Sequence, residues 1–339
     1  MYFGLGESMR LFLITSAITL SLVLCTPTYA QTKADTVSVL FVGDMVLDDL
    51  PGKAIEQGQD PFSAFASIFA KADIRIGNLE CVVATTGKPV DKNFTFRAHP
   101  RTLPILKKYF DALSIANNHS GDYGPAAFSE MLTLLDAHNI GRFGGGHNLA
   151  EAHVPFIIEK NGIRIALLGY SEFMPRSFEA NLNTAGIAWS EDEHVVRDIK
   201  AARKIYKADI VIPFMHWGWE NEMKAGKRQR DLARIMIDAG ADAVIGGHPH
   251  VIQDTEHYRG KPIIYSLGNF MMDAVDNEAQ TLGWVLRLHI NKSGVQTWDT
   301  QLAKINKETG IPVPMPKEST PCWDKETGVT STCKNAELR

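Results

Sequence analysis

The chain has 339 residues, of which 45% are hydrophobic and 22% are charged, and its formal net charge is −4. This composition indicates a globular protein, and the length allows one large domain or two smaller ones, of which we favour one. A slightly acidic chain lacks the excess of basic residues that nucleic-acid binding requires, so no nucleic-acid partner is predicted.

The first thirty residues differ in kind from the rest of the chain. Arg10 precedes an apolar run from Leu11 to Leu24, and Pro27-Thr28-Tyr29-Ala30 resembles a cleavage site with small residues. The run of roughly 14 residues suits a secretory signal and is shorter than the ~20 residues of a membrane-spanning helix. We therefore predict a signal peptide over residues 1–30 and export to the periplasm or cell surface. An uncleaved N-terminal membrane anchor is the alternative.

Short apolar runs alternate with amphipathic stretches through the first half of the chain, which is typical of an α/β domain, and we predict that this domain covers residues 31–305. A second sheet is indicated by the runs Phe156 to Glu159 and Ile163 to Ala166, which are joined through Asn161-Gly162, a strong hairpin signal. Two sheets covered by helices would make a layered sandwich. Other predicted strands are Val37 to Val42, Ile74 to Ile76, Ala112 to Ile115, Ile210 to Phe214 and Ala243 to Ile245, and predicted helices are Phe62 to Lys71, Phe128 to Asn139 and Asp231 to Ala239.

Residues 306–339 contain several prolines, among them Pro312, Pro314 and Pro321, and we predict an extended surface tail there. Cys322 and Cys333 bracket a short segment of this tail. In the oxidising compartment to which a signal peptide leads, we expect these two cysteines to form a disulfide.

Polar residues stand where several of the apolar runs end. Carboxylates, an amide and imidazoles gathered at the carboxyl edge of a sheet are oxygen and nitrogen ligands for one or two divalent ions such as Mn, Fe, Zn or Mg. The pattern therefore predicts a hydrolytic metal site. The residues concerned are Asp44, Glu80, Asn118, His119, His216, His248 and His250.

Each of these residues also has a purely structural explanation. Asp44 would suit a turn or a helix cap, Asn118 a hydrogen-bonded turn, and His216 a buried and satisfied histidine. His248 and His250 are a more specific pair, because residues two apart in an extended segment point to the same face.

Three residues, one of them already named, are candidates for contact with the substrate. His119 would donate a proton to a leaving group or stabilise developing charge. Arg97 would hold a carboxylate or phosphate through a bidentate contact, and a surface ion pair is the alternative. Glu220 would bind substrate or orient a ligand histidine, and a solvated surface position is the alternative.

Six motifs stand in order between Val37 and Ile290. They are Gly43-Asp44, Gly77-Asn78-Leu79-Glu80, Ala116-Asn117-Asn118-His119, His216-Trp217-Gly218-Trp219-Glu220, Gly247-His248-Pro249-His250 and Ser266-Leu267-Gly268-Asn269-Phe270. Together they resemble the CapA family, which is associated with poly-gamma-glutamate capsule biosynthesis and is similar to the calcineurin-like metallophosphoesterases. The resemblance implies a four-layer α/β/β/α sandwich with a two-metal site. It also implies that Asp44, Glu80, Asn118, His216, His248 and His250 are metal ligands and that His119 is the catalytic histidine.

The sequence departs from the wider phosphoesterase pattern at two positions. Val46 stands where those enzymes usually have a histidine, and Glu80 stands where they usually have an aspartate. The site is therefore expected to hold either one ion or two.

Two functional hypotheses follow. The first is an exported metal-dependent hydrolase or phosphoesterase that acts on an anionic cell-envelope polymer or a phosphoester. The second is a non-catalytic, polymer-binding component of a polyglutamate assembly or export complex. Membrane-bound polyglutamate synthase components would be partners under either hypothesis.

Overall fold

The computed structural model describes residues 1, 3–4, 36–173, 176–315 and 318–334. The apolar run Leu11 to Leu24, on which the signal-peptide prediction depends, lies outside these residues. Among the described helices, none is both long enough and apolar enough to cross a membrane.

Strands and helices alternate along the first two thirds of the chain, farther than the first half for which the sequence pattern predicts it. The described strands are β1 (Val37–Met45), β2 (Ile74–Leu79), β3 (Val82–Val83), β4 (Arg97–Ala98), β5 (Ala112–Ser114), β6 (Gly141–Phe143), β7 (Gly145–Gly146), β8 (Phe156–Lys160), β9 (Ile163–Ser171), β10 (Gly186–Ile187), β11 (Ile210–His216), β12 (Val244–Gly247), β13 (Thr255–Tyr258), β14 (Lys261–Ile264), β15 (Asn269–Met271), β16 (Leu282–Asn291), β17 (Gly294–Ile305), β18 (Pro312–Pro314), β19 (Ser319–Asp324) and β20 (Thr330–Lys334). The described α-helices are α1 (Asp49–Glu56), α2 (Ala66–Phe69), α3 (Leu103–Tyr109), α4 (Gly124–Ala137), α5 (Leu149–Ala152), α6 (Asp192–Lys204) and α7 (Lys227–Ala239).

The first sheet joins ten of the described strands. Its order is β20-β19-β17-β16-β1-β2-β5-β6, and β15 and β18 attach to β1 and β17. Strands β1, β2, β5 and β6 are parallel, as is β15 beside β1. The carboxyl ends of these strands therefore meet at one edge of the sheet.

The second sheet has the order β13-β14-β12-β11-β9-β8 among the described strands. Strands β9, β11, β12 and β14 are parallel. Strands β8 and β9 form the predicted hairpin, and its turn residues Asn161 and Gly162 have φ of 51° and 71°. Two positive φ angles in a two-residue turn match the twist of the flanking strands, which is why Asn-Gly favours this connection.

Side chains of β1 alternate between two apolar layers, because successive residues of a strand point to opposite faces. Phe41 faces the second sheet and packs against Phe214, with ring centroids 6.4 Å apart. Leu40 and Val42 face the other way, against helices α1 to α4. Helices α6 and α7 cover the outer face of the second sheet. The predicted four-layer α/β/β/α sandwich is therefore confirmed.

The C-terminal residues belong to the first sheet, and the prediction of a surface tail is wrong for them. Strands β18 and β19 pair with β17, and β20 pairs with β19. Pro312 and Pro314 lie at the two ends of β18, a three-residue strand outside the main strand order, where a missing N–H is tolerated. Cys322 in β19 and Cys333 in β20 form a disulfide across this hairpin.

Loss of this disulfide should lower the stability of the protein. The cysteines are 11 residues apart, and loop entropy assigns a crosslink of that length about 2–3 kcal/mol. We expect the Cys322→Ser/Cys333→Ser variant to lose this much free energy of unfolding in urea titrations. Reductant should destabilise the wild type similarly and leave the variant unchanged. A wild type that is insensitive to reductant would contradict the expectation.

Candidate metal centre

The carboxyl ends of parallel strands from both sheets meet at one edge of the sandwich, the usual position of binding sites in α/β proteins. Asp44 lies near the end of β1 and Glu80 directly follows β2, whereas His216 ends β11 and His248 directly follows β12. All four side chains are fully buried. The fold thus brings together residues that are up to 204 positions apart in the sequence.

Asp44 connects the two sheets. Its Oδ2 accepts a hydrogen bond of 3.0 Å from the backbone amide of His248, which directly follows β12 of the second sheet. Its Oδ1 accepts a bond of 2.7 Å from Nδ2 of Asn78. Gly247 makes this approach possible, because a Cβ atom there would lie 2.4 Å from Oδ1 of Asp44.

His216 is the meeting point of the cluster. Its Nδ1 lies 3.2 Å from Nδ2 of Asn78, and because an amide nitrogen can only donate, Nδ1 is the accepting nitrogen. Its Nε2 lies 2.6 Å from Oδ1 of Asn118, 3.1 Å from Nδ1 of His248 and 3.3 Å from Oε1 of Glu80. Four predicted site residues therefore converge on one point.

Several atoms of the cluster have no hydrogen-bond partner among the described residues. They are both carboxylate oxygens of Glu80 and Nε2 of His248, and all three are buried. A buried polar atom without a partner is costly, and a buried carboxylate without one is more so. A cation bound among these atoms would supply the missing interaction.

The arrangement offers two overlapping groups of potential ligands in which every residue is buried. The first is Glu80, His216 and His248, and the second is Asp44, Glu80 and His250; within each group the ligand atoms lie within 4.8 Å of one another. Oxygen and nitrogen donors without thiolates suit Mn, Fe or Zn. The residues present therefore fit one or two divalent ions, with Glu80 common to both groups.

The histidines of the cluster differ in their protonation. Burial, together with the nearby His216 and His250, holds the pKa of His248 well below its usual value, so this ring is neutral. Burial would also lower the pKa of His250, but the charges of Glu80 and Asp44 outweigh it and raise that pKa to about 10. Burial would raise the pKa of Asp44, yet its hydrogen bond to His250 and the nearby histidines lower it.

The segment that carries His248 and His250 is a turn and not the extended chain that was predicted. Their φ angles are 94° and 58°, which non-glycine residues rarely adopt. Both rings nevertheless reach the cluster, and Nδ1 of His250 lies 2.9 Å from Oδ1 of Asn269 in β15. Rare backbone angles concentrate at functional sites, where the surrounding contacts hold them.

His119 lies beside the cluster and is oriented by an aspartate. Its Nδ1 is 2.7 Å from Oδ2 of Asp122, and the Phe96 ring packs on it with centroids 4.6 Å apart. Lys92 donates to Oδ1 of Asp122 at 2.6 Å and to the carbonyl of Asn118 at 2.9 Å. Neither Asp122 nor Lys92 was predicted, because neither follows a strand.

Two other residues of the site were also missed as individual candidates. Asn78 and Asn269 hold Asp44 and His250 in place, and both stand within motifs that carry the family resemblance. Their positions near the end of β2 and at the start of β15 were the available signal. At the ends of these strands, the two asparagine side chains hold the neighbouring Asp44 and His250 side chains in place.

Arg97 and Glu220, the two other candidates for substrate contact, lie in different places. Arg97 is directed away from the cluster: its guanidinium donates to the carbonyl oxygen of Thr86 at 3.1 Å and lies 4.3 Å from the centre of the Tyr123 ring. Glu220 is exposed and belongs to a third candidate ligand group with His248 and His250. The structure therefore brings Glu220 to the site and does not bring Arg97 there.

A cavity of about 590 Å³ opens beside Asn118 and His119. Phe173 lines this cavity, and its ring also contacts the His248 ring at a tilt of 45°, with centroids 3.9 Å apart. A substrate group in this cavity would be next to His119.

Comparison with known proteins gives the following. Residues 38–274 match the family described as bacterial capsule synthesis protein PGA_cap. The chain is 34% identical to the PGA biosynthesis protein CapA of Bacillus subtilis, over 87% of this chain and 78% of that protein. It is 29% identical to a probable polyglutamine synthesis accessory protein of Mycobacterium tuberculosis, over 59% and 56%. A hypothetical protein of Thermus thermophilus aligns with a TM-score of 0.43 and 17% identity, over 85% and 99%.

The contact between Gly247 and Asp44 can be tested by substitution. Gly247 does not have a positive φ, so a larger residue is excluded there by space and not by backbone conformation. We expect Gly247→Ser to lower the free energy of unfolding by about 1–3 kcal/mol, as overpacking usually does.

The matched control is Gly226→Ser at the N-cap of α7. A Cβ atom there would meet nothing closer than 3.7 Å, and serine is a favourable N-cap. Its stability should stay within about 0.5 kcal/mol of the wild type in urea titrations. Equal stability of the two variants would contradict the steric account.

Proposed function

The chain belongs to the family of bacterial capsule synthesis proteins, and on that premise we propose that it is an exported metal-dependent hydrolase that cleaves a phosphoester or amide bond of an anionic cell-envelope polymer. The observation that carries the proposal is the set of buried atoms of Glu80 and His248 that have no hydrogen-bond partner among the described residues. Polymer binding alone would not require such atoms, whereas a metal centre would.

The ion would be held by the two groups that share Glu80. Asp44 and His250 complete one group, and His216 and His248 complete the other, with the amide oxygen of Asn118 beside Nε2 of His216. A bound divalent ion polarises an oxygen of the substrate and lowers the pKa of a water molecule to give a nucleophile near neutral pH.

His119 is the proton donor in this proposal. The carboxylate of Asp122 accepts a hydrogen bond from Nδ1–H of the His119 ring. Nε2 is therefore the nitrogen that exchanges a proton with the leaving group. Asp122 is itself fixed by the backbone amide of Phe96 at 2.7 Å and by Lys92. These contacts hold the imidazole in one orientation at the mouth of the cavity.

The proposal has two further parts, export of the protein and a role in the polymer pathway, and each is supported by its own observations. The N-terminal sequence pattern favours export, and a disulfide such as Cys322–Cys333 persists in oxidising compartments. An uncleaved membrane anchor would place the protein on the same side of the membrane. The names of the two relatives link them to PGA biosynthesis and to polyglutamine synthesis as an accessory, so membrane-bound polyglutamate synthase components are the partners we propose.

A non-catalytic role in holding the polymer is the second candidate, and Val46 favours it. This residue is fully buried and apolar, so it cannot replace the histidine that related enzymes usually carry at this position. The backbone amide of Val46 donates to the carbonyl of Met271 at 2.7 Å. If Val46 removes a ligand that catalysis needs, the protein will bind metal without hydrolysing its substrate.

Metal binding should depend on Glu80 and His248. We expect elemental analysis to find one or two transition ions per wild-type chain and fewer in the Glu80→Gln and His248→Ala variants. Added Mn²⁺ should raise the melting temperature of the wild type, since a ligand at 100 times its Kd stabilises by about 2.7 kcal/mol. The same addition should leave Glu80→Gln nearly unchanged.

His147→Ala is the matched control, because His147 is exposed and lies outside the candidate groups. It should bind metal as the wild type does. A folded wild-type protein that takes up no Mn, Fe or Zn would contradict the proposal that the site binds metal.

His119→Gln should separate catalysis from metal binding. We expect its rate of phosphodiester or phosphomonoester hydrolysis to fall by about 10²–10⁴-fold, the usual contribution of a general acid. Its metal content should stay at the wild-type level. His138→Gln, at the far end of α4, serves as the control and should keep full activity. Equal rates for His119→Gln and the wild type would rule out His119 as the proton donor.

A further inference from the structure

The cavity beside His119 has mainly apolar walls. Phe173 and Phe178 line it together with Ile187, and Phe94 lies at its rim with 58% of its surface exposed. Its volume of about 590 Å³ falls within the usual range for sites that bind small molecules. An apolar or aromatic group would lose water-exposed surface on entering it, which favours binding.

The aromatic walls are packed in place. Phe178 meets the Phe128 ring edge to face at 5.2 Å, and it lies so close to Gly121 that a Cβ atom there would come within 2.3 Å of its ring. Phe94 stacks with Phe96, which in turn packs on His119. A binding surface that is already formed costs less conformational entropy when a ligand binds.

The charges of the cavity do not suit a polyanion. Lys92 is the cationic residue among its lining residues, and the carboxylate of Asp122 already pairs with it at 2.6 Å. Asp91 and Glu220 add negative charge to the lining. An internal segment of polyglutamate would bring one carboxylate per repeat into this cavity, and burying unpaired carboxylates is unfavourable.

We infer that the cavity binds an apolar group of aromatic size that is joined, through the bond to be cleaved, to the anionic part of the substrate. The inference rests on the proposed function and narrows its substrate class to an ester or amide of an apolar moiety. The anionic part lies toward Asn118 and the ligand cluster, and the apolar part lies between Phe173 and Phe178.

The test is calorimetric binding to the full chain in the presence of Mn²⁺. Phenylphosphonate and methylphosphonate carry the same anionic group and differ in the apolar part, and a γ-linked glutamate trimer represents the polymer interior. We expect phenylphosphonate to bind at least about tenfold more tightly than methylphosphonate or the trimer. Phe178→Ala should remove most of this preference and leave methylphosphonate binding within about twofold.

Phe94→Ser is the second variant, because an exposed rim residue can be replaced without opening the core. Ile205→Ser is its control, since Ile205 is 73% exposed and follows α6, outside the cavity lining. Phe94→Ser should weaken phenylphosphonate binding, and the control should not. Tight binding of phenylphosphonate, together with no hydrolysis of phenyl phosphate by the same protein, would support the cavity assignment and contradict the hydrolase proposal. Equal binding of the two phosphonates, no binding of either, or preference for the trimer would overturn the inference.

Discussion

The hydrogen bond from the backbone amide of His248 to Asp44 is the contact on which the site depends, because it joins the two sheets at their common edge. Each sheet alone presents half of the ligand cluster. The 3.0 Å bond fixes the distance between the halves, and the missing side chain at Gly247 allows that distance. The apolar layer between the sheets, where Phe41 meets Phe214, keeps the same spacing deeper in the fold. The chemistry of the site is therefore set by sheet packing as much as by the residues themselves.

The cluster concentrates charge in a place that water does not reach. Two carboxylates, those of Asp44 and Glu80, are buried beside three imidazoles, and the protonated ring of His250 offsets part of their charge. A metal ion binds the neutral form of histidine, so an ion that binds through His250 must displace that proton. A proton and a metal ion therefore compete for the His250 ring. Either of them offsets part of the unfavourable free energy of burying the two carboxylates.

Much of this arrangement was predictable, because parallel strands in an α/β protein end at one edge. Asp44, Glu80, His216 and His248 could be found from their places after apolar runs, and the structure brings all four together. Lys92 and Asp122 could not be found in that way, since they lie in loops and reach His119 only through tertiary contacts.

Where the structure departs from the expected arrangement, the departures also have physical causes. Arg97 carries the right charge for an anionic substrate, but backbone carbonyls and the Tyr123 ring hold it elsewhere. The prolines near the C-terminus suggested a tail because proline interrupts central strands. Here Pro312 and Pro314 occupy a short strand at the border of the sheet, where that restriction does not apply.

The position of the β19–β20 hairpin has a consequence for solubility. Strand β17 has twelve residues, and without the hairpin its middle section would present unpaired N–H and C=O groups to other chains. Among the described strands, β20 forms this border of the sheet instead. It has five residues, of which three bear a hydroxyl group, and a disulfide joins it to β19. Short, polar strands are poor templates for intermolecular pairing. The hairpin thus covers the part of β17 that would otherwise be an open border, and it leaves a shorter and more polar strand in its place.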